Sequence, residues 1–357
     1  MTLDHHHGRH EAPSEPAAAP RFVDELRDAV PLRTVGIVVG VLLLQLGFIL
    51  SYVGAFHHPK PHRIDLAVVA PAQVTGTTVD RLNAIDGQPV HAVAVSDADT
   101  ARRRIQEGTT AAALVVDPRG STDTLLVATG AGTSIAGAVE QVVTAVDAGQ
   151  HRTVTVTDVV PLQTGDGRGL TGFYLVIGWI VGGYLVAALL GVAKGARPAN
   201  LHRAVIRLAA VVPYAVVSGL GGAVIVGPVL GALDGHLLAL WGIGTLLVLA
   251  AATVTMAFQS LFGVIGIGLT VLLFVVLGNP SAGGAYQPAM LPTFWRVISS
   301  GLPNGAGTEA VRRVVYFGGH DITRPVAVIT VYAVVGTAVA LAASVLRHRR
   351  QGRAVTD

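Results

Sequence analysis

Histidine clusters offer the most direct chemistry in this chain, because imidazole nitrogens bind transition metals. His5–His7 and His10 lie near the start of the sequence, and His57, His58 and His62 follow the first apolar stretch. We interpret the first cluster as an unstructured tail or a tag remnant, and the second as a solvated linker beside the membrane. The sequence therefore predicts no metal ion and no other cofactor.

The residue patterns of common catalytic mechanisms are missing from the sequence. There is no cysteine, which excludes a thiolate nucleophile, a disulfide and a cysteine metal site. The patterns HExxH and GxSxG, typical of zinc proteases and serine hydrolases, are also absent. Gly130 and Gly132 precede a helical segment, but no lysine follows them as a phosphate-binding loop requires. We expect no catalytic residue in this chain and no enzymatic activity of its own.

Apolar stretches dominate the sequence, which is 51% hydrophobic and only 13% charged. A helix of about 20 apolar residues spans about 30 Å of hydrocarbon. Six stretches are candidates for such helices: 35–56, 170–192, 208–230, 237–257, 261–278 and 325–346. The first is too long for the core of a secretory signal, so we interpret it as a retained anchor. The fourth and fifth form a tight helical hairpin around 258–260, or else one long bent helix.

The predicted fold class is an α-helical polytopic membrane protein with an α/β domain between the first and second helices. None of the six stretches contains Asp, Glu, Lys, Arg or His. Because ion-coupled pumps usually carry ionisable residues within the membrane, this absence argues against a proton-driven or sodium-driven antiporter.

The placement of Arg and Lys predicts the orientation, because short cytoplasmic segments carry the positive excess. The N-terminal segment contains Arg9, Arg21, Arg27 and Arg33, and the loop 193–207 and the tail 347–357 are basic. We therefore expect both termini in the cytoplasm of a bacterium and the segments 57–169 and 279–324 outside its plasma membrane. Residues 1–20 are expected to be disordered. Residues 21–34 are interpreted as an amphipathic helix on the inner membrane surface, or as a charged lead-in to the first span.

The segment 57–169 alternates between strand-like and helix-like patterns. The order β-α-β-α-β-β-α-β follows from the spacing of its apolar residues. Asp97 is placed to cap the second helix, and the turn DPRGS joins two strands as a hairpin. The sequence predicts a compact domain that buries its own core.

Glycine pairs predict where helices approach one another closely. Gly36 and Gly40 form GxxxG in the first span, and Gly178 and Gly182 form it in the second. These pairs are interpreted as packing sites within one chain or at a dimer seam.

The segment 279–324 has the most distinctive local sequence. Asn279–Pro280 ends the fifth span, and Gly283 and Gly284 permit a tight reversal. Two short helices, within 290–298 and over 308–316, are expected to lie half-buried against the outer leaflet. The alternative is an ordinary long external loop.

The whole layout resembles the permeases of type-2 ATP-binding-cassette exporters over about residues 21–350. The segment ARRRIQEGTTAAALVVDP is similar to that family's outer-domain motif. NPSAGG followed by two LP pairs resembles the phage-infection-protein-like subgroup of bacterial membrane proteins. The resemblance implies a homodimer in the lipid bilayer that exports a lipidic or amphipathic compound, with no nucleic-acid partner. The path would lie between two protomers, along small residues of spans one, two and five.

The resemblance also implies a separate ATPase, because this chain has no nucleotide-binding motif. Lys194, Arg197 and Arg203 are the expected contacts to that ATPase, although their loop is short and has no acidic residue. An outer gate is expected from seven residues: Asn279, Pro280, Gly283, Gly284, Leu291, Pro292 and Pro303. Bulky residues at positions 283 and 284 should abolish activity without preventing membrane insertion. The alternative function is that of a non-transporting membrane protein whose outer domain binds a cell-envelope partner or a phage.

Overall fold

The computed structural model describes residues 31–198 and 200–353. The predicted tail 1–20 and most of the predicted amphipathic helix 21–34 therefore lie outside the described residues. Helix α1 (Leu32–Phe56) contains the boundary between two compact units, Met1–Leu43 and Leu44–Asp357. Every tertiary contact discussed below lies within the second unit.

The segment after α1 folds into a five-stranded mixed sheet with three helices. Its elements have the order predicted from the alternation of apolar residues: β1 (Ile64–Val69), α2 (Ala72–Asn83), β2 (Val90–Ala94), α3 (Ala98–Gln106), β3 (Ala112–Val115), β4 (Thr122–Val127), α4 (Thr133–Ala148) and β5 (Thr153–Asp158). The strands lie in the order β2-β1-β3-β4-β5, and only the β3–β4 hairpin is antiparallel. We call residues 57–169 the sheet domain.

The sheet domain buries apolar side chains on both faces of the sheet. Leu82 of α2 and Val139 of α4 are fully buried in one cluster, and Ile105 of α3 is fully buried in the other. The predicted cap of α3 is confirmed, since Asp97 accepts a hydrogen bond of 2.8 Å from the amide of Thr100. Hydrogen bonds from Ser96 and Thr100 lower the pKa of Asp97 to about 2.

A buried charged cluster lies beside the β3–β4 hairpin. Arg152 Nε donates to Asp123 at 2.7 Å, and its guanidinium also donates to the carbonyls of Asp117 and Gly120 at 2.8 and 3.0 Å. Asp147 lies nearby with only 2% of its surface exposed. Burial, followed by the negative charge of Asp123, raises the pKa of Asp147 to about 6.

The chain after residue 170 is almost entirely helical. It forms α5 (Thr171–Lys194), α6 (Leu201–Val224), α7 (Leu237–Phe262), α8 (Ile265–Val271), α9 (Thr293–Ser299), α10 (Pro303–Tyr316) and α11 (Thr323–Arg353). A π-helical turn extends α6 to Val229, and another, Leu272–Gly278, continues α8 towards Ser281.

Five helices among the described residues are long and apolar enough to cross a membrane. Their candidate spans are Thr34–Phe56, Thr171–Lys194, Leu201–Val229, Leu237–Phe262 and Thr323–Arg347, and Ile265–Ser281 is a shorter apolar helix. By length and composition, the chain is a helical polytopic membrane protein with a small mixed sheet.

Several predicted helix boundaries differ from those in the structure. The third span begins at Leu201 rather than at residue 208, and the fifth continues through Asn279–Pro280 to Ser281 instead of ending there. The predicted break at 258–260 is wrong, because α7 continues to Phe262 and reverses at Gly263, whose φ is +67°. Glycine adopts this left-handed conformation without steric cost, which makes it a common helix stop. The helix predicted over 308–316 begins at Pro303, since proline is favoured in the first turn. The tail predicted from residue 347 continues α11 as helix to Arg353.

Candidate functional site

Helix α10 is buried within the helical bundle, rather than half-buried against the outer leaflet as predicted. Ala306 and Ala310 are at most 2% exposed, and α10 packs against α5, α7 and α11. A Cβ added at Gly307 would lie 2.9 Å from Val176 and 3.0 Å from Leu247. Small residues therefore allow α10 to approach its neighbours closely.

The N-terminal turn of α10 is bonded to the π-helical end of α8. Asn304 Nδ2 donates to the carbonyl of Phe274 at 3.0 Å and to Asn279 Oδ1 at 2.8 Å. Asn304 Oδ1 is buried without a hydrogen-bond partner among the described residues and lies against Gly278. π-Helical turns occur often at functional sites, because they disturb the regular pairing of the backbone.

Helix α9 is held against α1 close by. Ser51 of α1 donates to the carbonyl of Val276 and accepts from Trp295 Nε1 at 3.2 Å. The Trp295 ring covers Gly54, where an added Cβ would lie 2.9 Å from it. The segment between α8 and α10 is thus fixed to two helices by polar contacts.

The loop before α9 packs tightly onto both the bundle and the sheet domain. Gly283 has φ +73°, and its carbonyl accepts from Arg312 at 2.8 Å. A Cβ at Gly284 would lie 2.6 Å from the Phe173 ring. Gln287 is 4% exposed and hydrogen-bonds to Ser134 at the start of α4.

The seven predicted outer-gate residues all lie between positions 279 and 303, and none of them is exposed. Buried members are Pro280, Gly283, Gly284, Leu291 and Pro303, and the half-buried members are Asn279 and Pro292. The cavity beside Arg312 and Phe173 has a volume of about 20 Å³, which suffices for one water. None of the seven predicted residues lines this cavity.

Three charged residues on α10 form a partly buried ion cluster. Glu309 pairs with Arg312 at 3.1 Å and with Arg313 at 2.7 Å. Burial opposes the ionisation of Glu309, but the two arginines outweigh it and lower the pKa of that carboxyl. Since Arg313 also donates to the carbonyl of Gly108 at 3.4 Å, the cluster links α10 to the sheet domain.

The C-terminal end of α10 enters the sheet domain. Tyr316 donates to the Asp166 carboxylate, which also accepts from the amide of Thr171 at 2.9 Å. Burial, together with the hydrogen bond to Asp166 and its charge, raises the pKa of Tyr316, so the hydroxyl stays protonated as a donor. Phe317 is 4% exposed and packs in the cluster of Ala101 and Ile105.

Backbone hydrogen bonds also join the sheet domain to the loop before α9. The amides of Lys60 and His62 donate to the carbonyls of Met290 and Ala289 at 3.2 and 2.9 Å. Met290, 7% exposed, lies in the other apolar cluster of the sheet domain. We call the contacts of residues 282–291 and 312–317 with the sheet domain the junction.

Sequence reasoning missed most residues of the junction. Asp166, Gln287 and Tyr316 meet their partners about 150 residues away along the chain, so no local pattern indicates the pairing. Asn304 lies in the segment LPNGAG, whose composition is typical of loops. The aromatic pair Tyr316–Phe317 before two glycines was the one available signal.

Arginines cap the ends of α5 and α7 at the end of the bundle away from the junction. Arg207 donates to the carbonyls of Lys194 and Gly195 at 2.7 and 2.9 Å. Arg347 donates to the carbonyl of Ser260. Cations at helix C-termini are favoured, because the last carbonyls carry partial negative charge.

Of the predicted ATPase contacts, Arg197 donates to the carbonyl of Leu261 at 3.2 Å, so it is already used within the chain. Lys194 and Arg203 are both exposed, at the end of α5 and in the first turn of α6. These three assignments stay predictions.

The predicted packing glycines occupy different environments. Gly182 lies against Tyr214 of α6, whose hydroxyl would be 3.1 Å from an added Cβ. Gly178 is exposed on α5, and Gly36 and Gly40 lie on the part of α1 that belongs to the N-terminal unit.

The second histidine cluster lies just after α1. His57 contacts the carbonyl of Val53 at 2.9 Å, and the rings of His57 and His58 are 6.4 Å apart. Within residues 31–198 and 200–353, no three metal-ligating side chains come together.

No protein-family model matches the chain, and no curated protein or solved structure matches it either.

Proposed function

We propose that the chain is the permease subunit of an ABC-type exporter in a bacterial plasma membrane. It moves lipidic or amphipathic compounds outwards as a homodimer, and a separate ATPase supplies the energy. Six crossings result when Ile265–Ser281 is counted with the five longer spans. Both termini are then cytoplasmic, and the sheet domain lies outside.

The observation that carries the proposal is the course of α10. The helix begins beside the π-helical turn, runs between α5, α7 and α11, and ends in the core of the sheet domain. A displacement of α10 would therefore move both the bundle and the sheet domain. Such a link suits a transporter, in which the outer domain must respond to opening and closing of the bundle.

Charge distribution supports the orientation. Arg197, Arg207 and Arg347 lie at one end of the bundle, where α5 and α7 end. The junction lies at the opposite ends of α5 and of Ile265–Ser281. The positive-inside rule assigns the arginine-rich end to the cytoplasm.

The lack of acidic residues in the spans supports an external energy source. The five long candidate spans contain no Asp or Glu, and their basic residues lie near their ends. Proton-coupled pumps usually carry Asp, Glu or His within the membrane. ATP hydrolysis by a partner is the remaining common way to energise export.

The test is purification of the full chain from its native membranes in a mild detergent. We expect an ATPase to copurify and, after reconstitution into vesicles, ATP-dependent movement of a fluorescent phospholipid probe. Copurification of an outer-surface protein instead, with no nucleotide-dependent movement of the probe, would favour the receptor alternative.

A matched pair of glycine variants tests the role of the predicted gate. Gly284→Ala should abolish probe movement, because its Cβ would lie 2.6 Å from the Phe173 ring. Gly137→Ala is the control, since an added Cβ on α4 meets no atom within 4 Å among the described residues. Equal probe movement by both variants would contradict a role of Gly284 in the gate.

A further inference from the structure

Two arginines meet at the end of α7 that lies away from the junction. Arg197, in the loop after α5, donates to the carbonyl of Leu261 at 3.2 Å, and Arg347 of α11 donates to the carbonyl of Ser260. The Arg197 guanidinium also lies over Gly263, where an added Cβ would be 3.4 Å from its Nε. Because the two carbonyls belong to neighbouring residues, the two positive side chains lie close enough to repel each other.

No carboxylate among the described residues pairs with these arginines. The sequence has no Asp or Glu over 171–233, 235–308 or 322–356, and Asp234 lies at the other end of the bundle, bonded to Gln163 of the sheet domain. A guanidinium has five N–H donors, yet within the described part of the chain each of the two arginines uses only Nη2. Nη1 of Arg347 is buried without a partner there. The pair therefore has positive charge and donors to spare.

The surface around the two arginines is apolar. Arg197 is exposed and Arg347 is half-buried. Five large apolar residues that adjoin Arg347 or the turn at Gly263 are at least 45% exposed: Leu261, Phe262, Val264, Ile265 and Leu346. We call Arg197, Arg347 and these five residues the arginine patch. Since it lies at the ends of membrane spans, it offers cations at the level of lipid headgroups and apolar side chains at the level of the tails.

We propose that the arginine patch binds one anionic phospholipid. The free N–H groups of Arg197 donate to its phosphate, Arg347 adds a second positive charge, and the acyl chains lie along the apolar residues. Arginine suits this role, because its planar guanidinium donates two parallel hydrogen bonds to a phosphate. The inference goes beyond the proposed function, since it requires neither transport nor an ATPase.

The first test measures lipid affinity by native mass spectrometry of the purified full-length chain, with no ATPase present. Dioleoylphosphatidylglycerol should bind more tightly than dioleoylphosphatidylcholine, which has the same tails and a phosphate but no net charge. Arg197→Gln should weaken phosphatidylglycerol binding about 5-fold, and Arg197→Gln with Arg347→Gln about 30-fold, as expected for arginines beside an anionic membrane surface. The control is Arg324→Gln, which removes an exposed arginine from the first turn of α11 and should leave the affinity unchanged.

Three outcomes of this test would overturn the proposal. One is equal affinity for the two lipids, or equal losses in Arg197→Gln and Arg324→Gln. Another is displacement of phosphatidylglycerol by an equal concentration of inorganic phosphate, which would indicate a site for a free anion. The third is phosphatidylglycerol binding only after Asp24, Glu25 and Asp28 have been replaced by amides, because the patch would then belong to the chain's own N-terminal segment.

The second test locates the lipid and leaves both arginines in place, so it does not depend on the folding of the arginine variants. The sequence contains no cysteine, and a fluorophore can therefore be attached to Ile265→Cys in the patch or to Val229→Cys, the control at the other end of the bundle. The two positions are 72% and 66% exposed. Brominated phosphatidylglycerol in vesicles should quench the label at position 265 several-fold more than brominated phosphatidylcholine at the same mole fraction. At position 229 the two lipids should quench equally. Equal quenching at position 265 would contradict an anionic lipid at the patch.

Discussion

Removal of the Tyr316 hydroxyl tests whether the junction holds the sheet domain to the bundle. In Tyr316→Phe the ring still covers Gly130, but the buried Asp166 carboxylate loses one of its two hydrogen-bond donors. Asp166 is only 3% exposed, so water replaces the hydroxyl poorly. Hydrogen bonds to charged groups contribute about 1.5–3 kcal/mol, and we expect a loss of that size from the free energy of opening the junction.

Hydrogen exchange in the full-length protein measures this loss directly. The amide of Gly130 donates to Val160 at 2.9 Å and that of Thr171 donates to Asp166, so both report on the junction. A loss of 1.5–3 kcal/mol corresponds to exchange faster by roughly 10-fold to 150-fold. Tyr174→Phe is the matched control, because Tyr174 is 62% exposed. If the amides of Gly130 and Thr171 exchange equally fast in Tyr316→Phe and in Tyr174→Phe, the hydrogen bond from Tyr316 to Asp166 does not hold the junction.

Three further perturbations follow from buried groups. The pKa of Asp147 is raised to about 6, so its protonated form stabilises the fold below about pH 4, and that contribution is lost as the pH rises through 6. Asp147→Asn should therefore stabilise β4 and β5 by roughly 2–3 kcal/mol at pH 8 and far less at pH 4. Hydrogen exchange of the two strands measures this stabilisation, and a stabilisation that does not change with pH would contradict a buried carboxyl at this position. Gly278→Ala should lower the melting temperature of the purified protein, because its Cβ displaces Asn304. Gly268→Ala is the control and should leave the melting temperature unchanged, because its Cβ meets only an ordinary contact at 3.6 Å. Equal melting temperatures of the two variants would refute this packing. Arg207→Met keeps the apolar part of the side chain but leaves the carbonyls at the end of α5 without their arginine donor. The last amides of α5 should therefore exchange several-fold faster than in the control Arg203→Met, which removes an exposed arginine.

Local patterns sufficed to predict the sheet domain, because each strand and helix has its own apolar period. The Asp97 cap was predictable for the same reason, since its partner amide is three residues away. The apolar stretches likewise located the long helices, although the charged first turns of α6 and the charged last turns of α11 lie outside those stretches. The end of α7 differs because the polar residues Gln259 and Ser260 suggest a loop, whereas the helix continues to Phe262.

Long-range packing could not be predicted in this way. Pro303 and Gly305 suggested a loop, yet they begin a buried helix whose glycines let neighbouring backbones approach. The pairing of Tyr316 with Asp166 depends on the complete fold, so neither residue carries a local sign of it. The seven residues expected at the outer gate were found together because they are adjacent in sequence, and their role in a gate stays a prediction.

The sheet domain does not complete its core with its own residues. Met290 and Phe317 fill places in its two apolar clusters, and Phe317 is synthesised 159 residues after Asp158, the end of β5. At about 5–20 residues per second, the ribosome needs roughly 10–30 s to supply that last side chain. During biogenesis the domain must wait with an open apolar gap until Phe317 has been made, and an excised copy of residues 57–169 would keep that gap permanently.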